Sequence, residues 1–320
     1  MKKVLITGSL GQIGSELMCA LAEKIGAENI IATDIRKPSE EELEGCIFEK
    51  LDVLDADAVA DICKKNKIDT IYHLAAILSA SGEQKPQLAW NVNMNGFYNV
   101  LEVARELDIE RIICPSSIAV FGPDTPKDNT PNETILRPTS IYGVTKVAGE
   151  LLGNYYVKKY GLDVRGMRFP GIISYKTLPG GGTTDYAVAI YYEALKKKKY
   201  TCFVREDTVL PMMYMPDAIK SLIQIAEVDK SKLQHHCDFN ISAMSFSAKE
   251  LEESIKKHIP DFVCKYEPDY RQDIADSWPR SLDDSAAREE WGWQPDYDLE
   301  MMTEDMLEKL RAKLGDGDIA

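Results

Sequence analysis

The chain begins with a short apolar run, Lys3-Val4-Leu5-Ile6-Thr7, that passes straight into Gly8-Ser9-Leu10-Gly11-Gln12-Ile13-Gly14. Glycines at that spacing between a strand and a helix allow a tight turn and let the helix fold back close against the strand. The helix is legible from Ile13, Leu17, Leu21 and Ile25, one apolar stripe at helical spacing. The alternation continues with strands at Asn29–Asp34, Ile47–Val53, Thr70–Ala76, Arg111–Ser117 and Leu162–Phe169. Gln87–Leu107 predicts a long helix carrying Trp90, Met94, Phe97, Leu101 and Ala104, and Tyr142–Tyr160 predicts another. Continuous apolar strands separated by helices need cover on both faces, which predicts an α/β fold with a doubly wound parallel sheet.

After Pro170 the rhythm breaks. A glycine-rich stretch, Leu178-Pro179-Gly180-Gly181-Gly182-Thr183-Thr184, precedes an apolar helix at Tyr186–Leu195. Tyr214-Met215-Pro216-Asp217-Ala218 opens a further helix, followed by Phe239-Asn240-Ile241, Phe262-Val263-Cys264 and a charged C-terminal helix. The expected organisation is a Rossmann dinucleotide-binding domain over residues 1–175, with a return near 212–240. A smaller C-terminal α/β substrate-binding portion would comprise residues 176–211 and 241–320, with a frayed tail from 315 to 320.

A formal charge of −14 argues against nucleic acid or an anionic membrane as partner, since both call for a basic surface. The basic run Lys196–Lys199 reads as a solvated helix end. Seven cysteines without a CxxC pair fit reduced thiols in a cytoplasmic protein. The four histidines lack metal-ligand spacing, so no metal is expected. A strand starting at once leaves no room for a signal peptide, and no apolar stretch approaches membrane-spanning length.

Gly8, Gly11 and Gly14, with Gln12 and Ile13 between them, read as a cradle for a dinucleotide pyrophosphate at a helix N-terminus. Asp34 closes the second strand 20 residues beyond Gly14. A carboxylate there accepts hydrogen bonds from ribose hydroxyls and repels a 2′-phosphate, favouring NAD over NADP, with Arg36 and Lys37 as the contrary signal. Asp52 and Val53, at the expected end of the third strand, are placed to meet the adenine.

Tyr142-Gly143-Val144-Thr145-Lys146 puts a tyrosine and a lysine at i, i+4 on one helix face. Free tyrosine is a poor base, with an ordinary pKa of about 10, and a neighbouring ammonium favours its phenolate. The same lysine can hold the nicotinamide ribose. In Pro115-Ser116-Ser117-Ile118-Ala119-Val120-Phe121-Gly122 either Ser116 or Ser117 can orient a reacting hydroxyl.

Taken together, TGxxGxxG, Asp34, the His73-Leu74-Ala75-Ala76 turn, the serine segment and YxxxK resemble the extended short-chain dehydrogenase/reductase family over nearly the whole chain. The resemblance implies a catalytic set of Ser117, Tyr142 and Lys146, favouring Ser117 over Ser116. It implies cofactor contacts from Leu74, Ala75, Ala76, Asn93 and Pro170, and a homodimer through the two long helices. Arg168–Ser174, Gly180–Ala187, Leu210–Ala218 and Ser277–Asp283 narrow it further. They are similar to the NAD-dependent L-threonine 3-dehydrogenases of this family, which implies C3 oxidation of L-threonine to 2-amino-3-oxobutanoate, a β-keto acid of threonine catabolism.

A threonine site needs partners for a carboxylate and an ammonium, and a wall around C3. Gly181, Gly182, Thr183 and Thr184 form a turn able to bind a carboxylate, or a plain loop. Ser79 reaches the same space, and Trp278 either closes the pocket or belongs to the core. Arg280 reads as a structural salt-bridge partner more than a carboxylate ligand. The rivals are a sugar-nucleotide epimerase or dehydratase and a non-catalytic NAD(H)-sensing regulator. Ile118-Ala119, where dehydratases carry Asp-Glu, counts against that branch, and the intact tyrosine–lysine pair counts against the regulator.

Overall fold

The computed structural model describes residues 1–177, 180 and 182–315. Gly181, assigned a carboxylate contact from the sequence, and the tail from 316 onward lie outside the described residues. In chain order the first half comprises β1 (Val4–Thr7), α1 (Gln12–Ile25), β2 (Ile30–Asp34), β3 (Ile47–Lys50), α2 (Ala56–Asn66), β4 (Thr70–His73), α3 (Ser79–Gln84), α4 (Pro86–Trp90), α5 (Phe97–Glu106), β5 (Arg111–Ile113), β6 (Ser116–Ser117) and α6 (Ile141–Tyr160). The second half comprises β7 (Val164–Arg165), β8 (Met167–Phe169), β9 (Gly171–Ile173), α7 (Tyr186–Lys197), β10 (Lys199–Cys202), β11 (Val209–Tyr214), α8 (Met215–Glu227), β12 (Phe239–Asn240), β13 (Met244–Ser247), α9 (Ala248–His258), β14 (Val263–Tyr266), α10 (Arg271–Ser277), α11 (Ser285–Trp291) and α12 (Leu299–Leu314).

The central sheet has six parallel strands in the order β3-β2-β1-β4-β5-β7. Its direction of winding reverses between β1 and β4, the switch point where open α/β sheets bind ligands beyond the strand ends. Successive residues of β1 face opposite sides: Val4 and Ile6 pack with Leu17, Met18 and Leu21 of α1 and Leu222 of α8. Leu5 packs instead with Val59 of α2, Leu101 of α5 and Tyr156 of α6. A third core joins α7, α9 and α12 around Tyr191, Leu251 and Met306.

Two strands expected to be continuous are each broken in two. Arg111–Ser117 parts at Cys114-Pro115 into β5 and β6, and Leu162–Phe169 parts at Gly166 into β7 and β8. The breaks lie side by side, because here the chain steps from the six-stranded sheet into a second sheet, β12-β8-β6. At the step the Gly166 N–H donates to His236 O at 2.7 Å. A Cβ on Gly166 would stand 2.4 Å from Cys114 O, so only glycine fits.

The third strand ends at Lys50, short of Val53, because Asp52 turns the chain by accepting the Leu54 N–H at 3.0 Å. The fourth ends at His73. The helix expected over Gln87–Leu107 is α4 and α5 joined by a π-helical segment, Asn91–Gly96. Along it Phe97, Leu101 and Ala104 are buried, whereas Trp90 stays exposed with Tyr98. On α6, Leu151, Tyr155 and Tyr160 are exposed as well.

Candidate active site

The switch point opens into a cleft lined by Gly8, Gly11, Gln12, Ile13, Gly14, Leu74, Ala75, Ala76, Ser79, Asn93, Ser117, Tyr142, Lys146, Pro170, Gly182, Thr183, Thr184 and Trp278. Among the described site residues expected from the sequence, Asp34, Asp52 and Val53 are absent from its wall. Asp34 stands just outside, at the end of β2, with its carboxylate accepting Leu10 N at 3.2 Å and Arg36 N at 3.0 Å. Arg36 is engaged elsewhere, donating to Glu42 at 2.8 Å and to Leu10 O at 3.1 Å. Asp52 is exposed in its turn, and Val53 is buried against the π-helical segment, where a Cβ on Gly96 would meet Val53 Cγ2 at 2.7 Å.

The cradle is shaped for a group that approaches backbone. Gly8 has φ +66°, and a Cβ on it would lie 2.7 Å from Ala75 N; one on Gly14 would lie 2.4 Å from Gly8 O. Gly11 caps α1 without a capping side chain, leaving the N–H groups of the first turn for an anion. With Asp34 beside it, this donor set fits a dinucleotide pyrophosphate and ribose.

Tyr142 sits in the first turn of α6, where Ser140 Oγ accepts the Gly143 N–H at 3.1 Å and so caps the helix. Gly143 brings this end of α6 onto the turn after Ser117: a Cβ there would lie 2.2 Å from Ala119 O. Lys146 Nζ is 5.5 Å from the Tyr142 ring centroid and donates to Pro115 O at 2.7 Å. Ser117 Oγ accepts from Ala119 N at 3.2 Å. The Ser116 hydroxyl is used elsewhere, donating to Glu150 at 2.5 Å. Asn93, expected to touch the cofactor, has its amide committed as a clamp, exchanging hydrogen bonds with the backbone of Ile77 and donating to Thr145 Oγ1 at 3.1 Å.

Opposite, the Gly182 N–H, assigned to a substrate carboxylate, donates to Asp185 Oδ2 at 2.6 Å. Thr183 is 1% exposed and its hydroxyl has no hydrogen-bond partner, an unusual state for a buried polar atom facing a cleft. Trp278 is 7% exposed. Its backbone carbonyl and that of Ser277 accept from Lys127 Nζ at 3.3 and 2.7 Å. Arg280 pairs with Asp128, its Nε 2.7 Å from Oδ1.

Sequence reasoning missed several groups that line the cleft, among them His73, Cys114, Glu150, Asp185 and Cys237. His73 Nδ1 is hydrogen-bonded to Thr7 Oγ1 at 2.9 Å, and its ring stacks on Phe97. Burial, then the nearby Lys146 charge, pushes its pKa down to about 3, so the ring is neutral. Burial pushes the Cys114 thiol up to about 11, against the pull of Lys146, which makes it a poor nucleophile. Burial raises Glu150 as well, opposed by Arg168 and Ser116. The available signal for Glu150 was its i+4 place after Lys146, together with an arginine, Arg168, inside an apolar strand. Among the described residues no group of three or more His, Cys, Asp or Glu is arranged to hold a metal, and no helix is long and apolar enough to cross a membrane.

Comparison with known proteins agrees with this geometry. The family model for the NAD-dependent epimerase/dehydratase family matches residues 4–242. The structure of an L-threonine dehydrogenase from Clostridium difficile is 56% identical, with 98% of each chain covered and a TM-score of 0.96. A monomeric L-threonine 3-dehydrogenase from a metagenome is 51% identical, covering 98% of this chain and 100% of its own, with a TM-score of 0.94. An uncharacterized epimerase/dehydratase of Staphylococcus saprophyticus is 50% identical, with 98% of each chain covered. Because one relative is described as monomeric, kinship by itself does not support the dimer expected from the sequence. With the family model spanning most of the chain and relatives matching it end to end, the chain belongs to the NAD-dependent epimerase/dehydratase family, the extended branch of the short-chain dehydrogenases/reductases.

Proposed function

We propose that the protein oxidises L-threonine at C3 to 2-amino-3-oxobutanoate with NAD. The observation that carries this reading is the convergence on one cleft of Tyr142, Lys146 and Ser117 with the unpartnered Thr183 hydroxyl and Trp278. The similarity to L-threonine dehydrogenases over 98% of the chain supports it. Gly8, Gly11, Gly14 and Asp34 would hold NAD, which when bound supplies the hydride acceptor.

In this reading Tyr142, as phenolate, takes the proton of the C3 hydroxyl. Ser117 orients that hydroxyl, and the Lys146 ammonium stabilises negative charge on Tyr142 while holding the ribose. Thr183 and Thr184 receive the amino-acid end, and Trp278 excludes water. Exclusion of water strengthens each of these polar interactions.

The test is spectrophotometric: folded protein, NAD and L-threonine are mixed and NADH is followed. No NADH would sink the reading, and tightly retained NAD without threonine turnover would point to an epimerase. A second copy covering Tyr98, Leu151, Tyr155 and Tyr160 is a separate proposal, read by sedimentation velocity as dimer or monomer.

A further inference from the structure

Pro115, Ser116 and Ser117 are consecutive, and each meets a different part of the site. The Pro115 carbonyl accepts from Lys146, Ser116 Oγ donates to Glu150 Oε1 at 2.5 Å, and Ser117 lines the cleft. Glu150 follows Lys146 by four residues and Tyr142 by eight, so the three side chains share one stripe of α6. Its carboxylate is nearly inaccessible and is gripped by Arg168 Nε and Nη2, each at 2.9 Å. Arg168 is also buried and projects from β8, in register opposite Ser116. Its remaining nitrogen reaches Asn132 O at 2.8 Å and Asn240 Oδ1 at 3.2 Å.

A buried ion pair is a poor device for stability alone, because desolvating two charges cancels much of their attraction and apolar residues of similar volume often serve as well. A bidentate arginine–carboxylate pair does fix direction and distance, which apolar packing does not. Here it joins the helix that carries Tyr142 and Lys146 to the strand pair that carries Ser117 and the Pro115 carbonyl. We propose that Glu150, gripped by Arg168 and Ser116, is a positioning residue that sets the separation of Tyr142 from Ser117 and seats Lys146 on the Pro115 carbonyl. The proposal rests on the dehydrogenase reading of this cleft.

The experiment compares full-length wild type with S116A, S116T, E150Q and S116A/E150Q in steady-state kinetics with NAD and L-threonine over a range of pH. Displacing reacting groups by about 1 Å costs on the order of a hundredfold, so E150Q is expected to lose roughly that factor in kcat and S116A about tenfold. KM for NAD should rise by a smaller factor than kcat falls, because the displaced Lys146 also holds the ribose, and S116T should recover most of the loss in S116A. The acid limb of the kcat profile should move to higher pH in S116A, because the ammonium is less well seated beside the tyrosine. Since Ser116 acts through Glu150, the double variant should be no slower than E150Q.

Wild-type kcat and pH profile in S116A would overturn the proposal, and so would additive losses in the double variant. If E150Q does not fold, S116A and S116T decide: a displaced limb restored by threonine supports the proposal, and an undisplaced one overturns it. A wild type inert towards L-threonine defeats the dehydrogenase reading instead; an active wild type with an unaltered S116A defeats this proposal alone.

Discussion

Tyr142 and Lys146 reach the cleft from one turn of a single helix, whereas Thr183 and Trp278 reach it from a loop before α7 and a segment after α10, far apart in sequence. On the first wall, spacing along α6 presents both side chains together, and Gly143 brings that helix onto the turn beyond Ser117. On the second wall Trp278 is placed by something distant, since Lys127 holds the carbonyls of Ser277 and Trp278, while the Gly182 N–H is taken within its own turn by Asp185. The first wall is specified locally and the second is assembled by the fold. Changes to the first should therefore strike chemistry or cofactor, and changes to the second should strike substrate binding.

The largest effect belongs to the first wall. Tyr142→Phe should cut kcat by roughly 10²–10⁴-fold while calorimetric NAD affinity stays near wild type; retention of more than about a hundredth of turnover would remove Tyr142 from the proton-transfer role. Asp34→Ala deletes charge-assisted hydrogen bonds worth about 1.5–3 kcal/mol, so KM for NAD should rise between about ten- and a hundredfold. NADP should gain less than NAD loses, because Glu42 and Leu10 O already hold Arg36. The ratio of kcat/KM for the two cofactors reads this, and a clear switch to NADP would show that Arg36 is free to turn.

His73 gives the first wall a pH signature. Its pKa in the fold, about 3, lies below the ordinary 6.5. Between those values the unfolded chain binds one proton more than the folded one, so stability falls as pH drops below 6.5. The slope should approach about 1.4 kcal/mol per pH unit in urea melts, and His73→Gln should flatten it. A slope unchanged in that variant would assign the acid sensitivity to other groups. The smallest effect tests the second wall. Lys127→Met should raise KM for L-threonine by about fivefold, the equivalent of about 1 kcal/mol, with kcat nearly unchanged. An equal fall in kcat would show that the two walls are not separable.

Much of the frame was legible because its signals are local. The strand–glycine–helix run at Val4–Ile25 and the alternation after it predict the parallel sheet, and i, i+4 spacing predicts that Tyr142 and Lys146 share a face. The breaks at Cys114-Pro115 and Gly166 were not legible, since they exist only because two strands leave one sheet for another side by side. The π-helical segment at Asn91–Gly96 was missed for a similar reason: Asn93 clamps the Ile77 backbone and Thr145, which lie elsewhere in the chain. Glu150 reads as an ordinary helix residue until Arg168 arrives from β8.

Sequence by itself determined the elements whose causes lie within a few residues: the glycine cradle, the acid closing β2 and the tyrosine–lysine face of α6. Tertiary structure decided which serine hydroxyl is committed to Glu150, that Thr183 and Trp278 meet at one cleft, and that Thr183 is left with a buried, unpartnered hydroxyl. Turns and helical faces follow from backbone sterics and side-chain period, which any short window contains. Hydrogen-bond partners across a cleft depend on which segments the folded chain brings within about 3 Å, and no short window contains that.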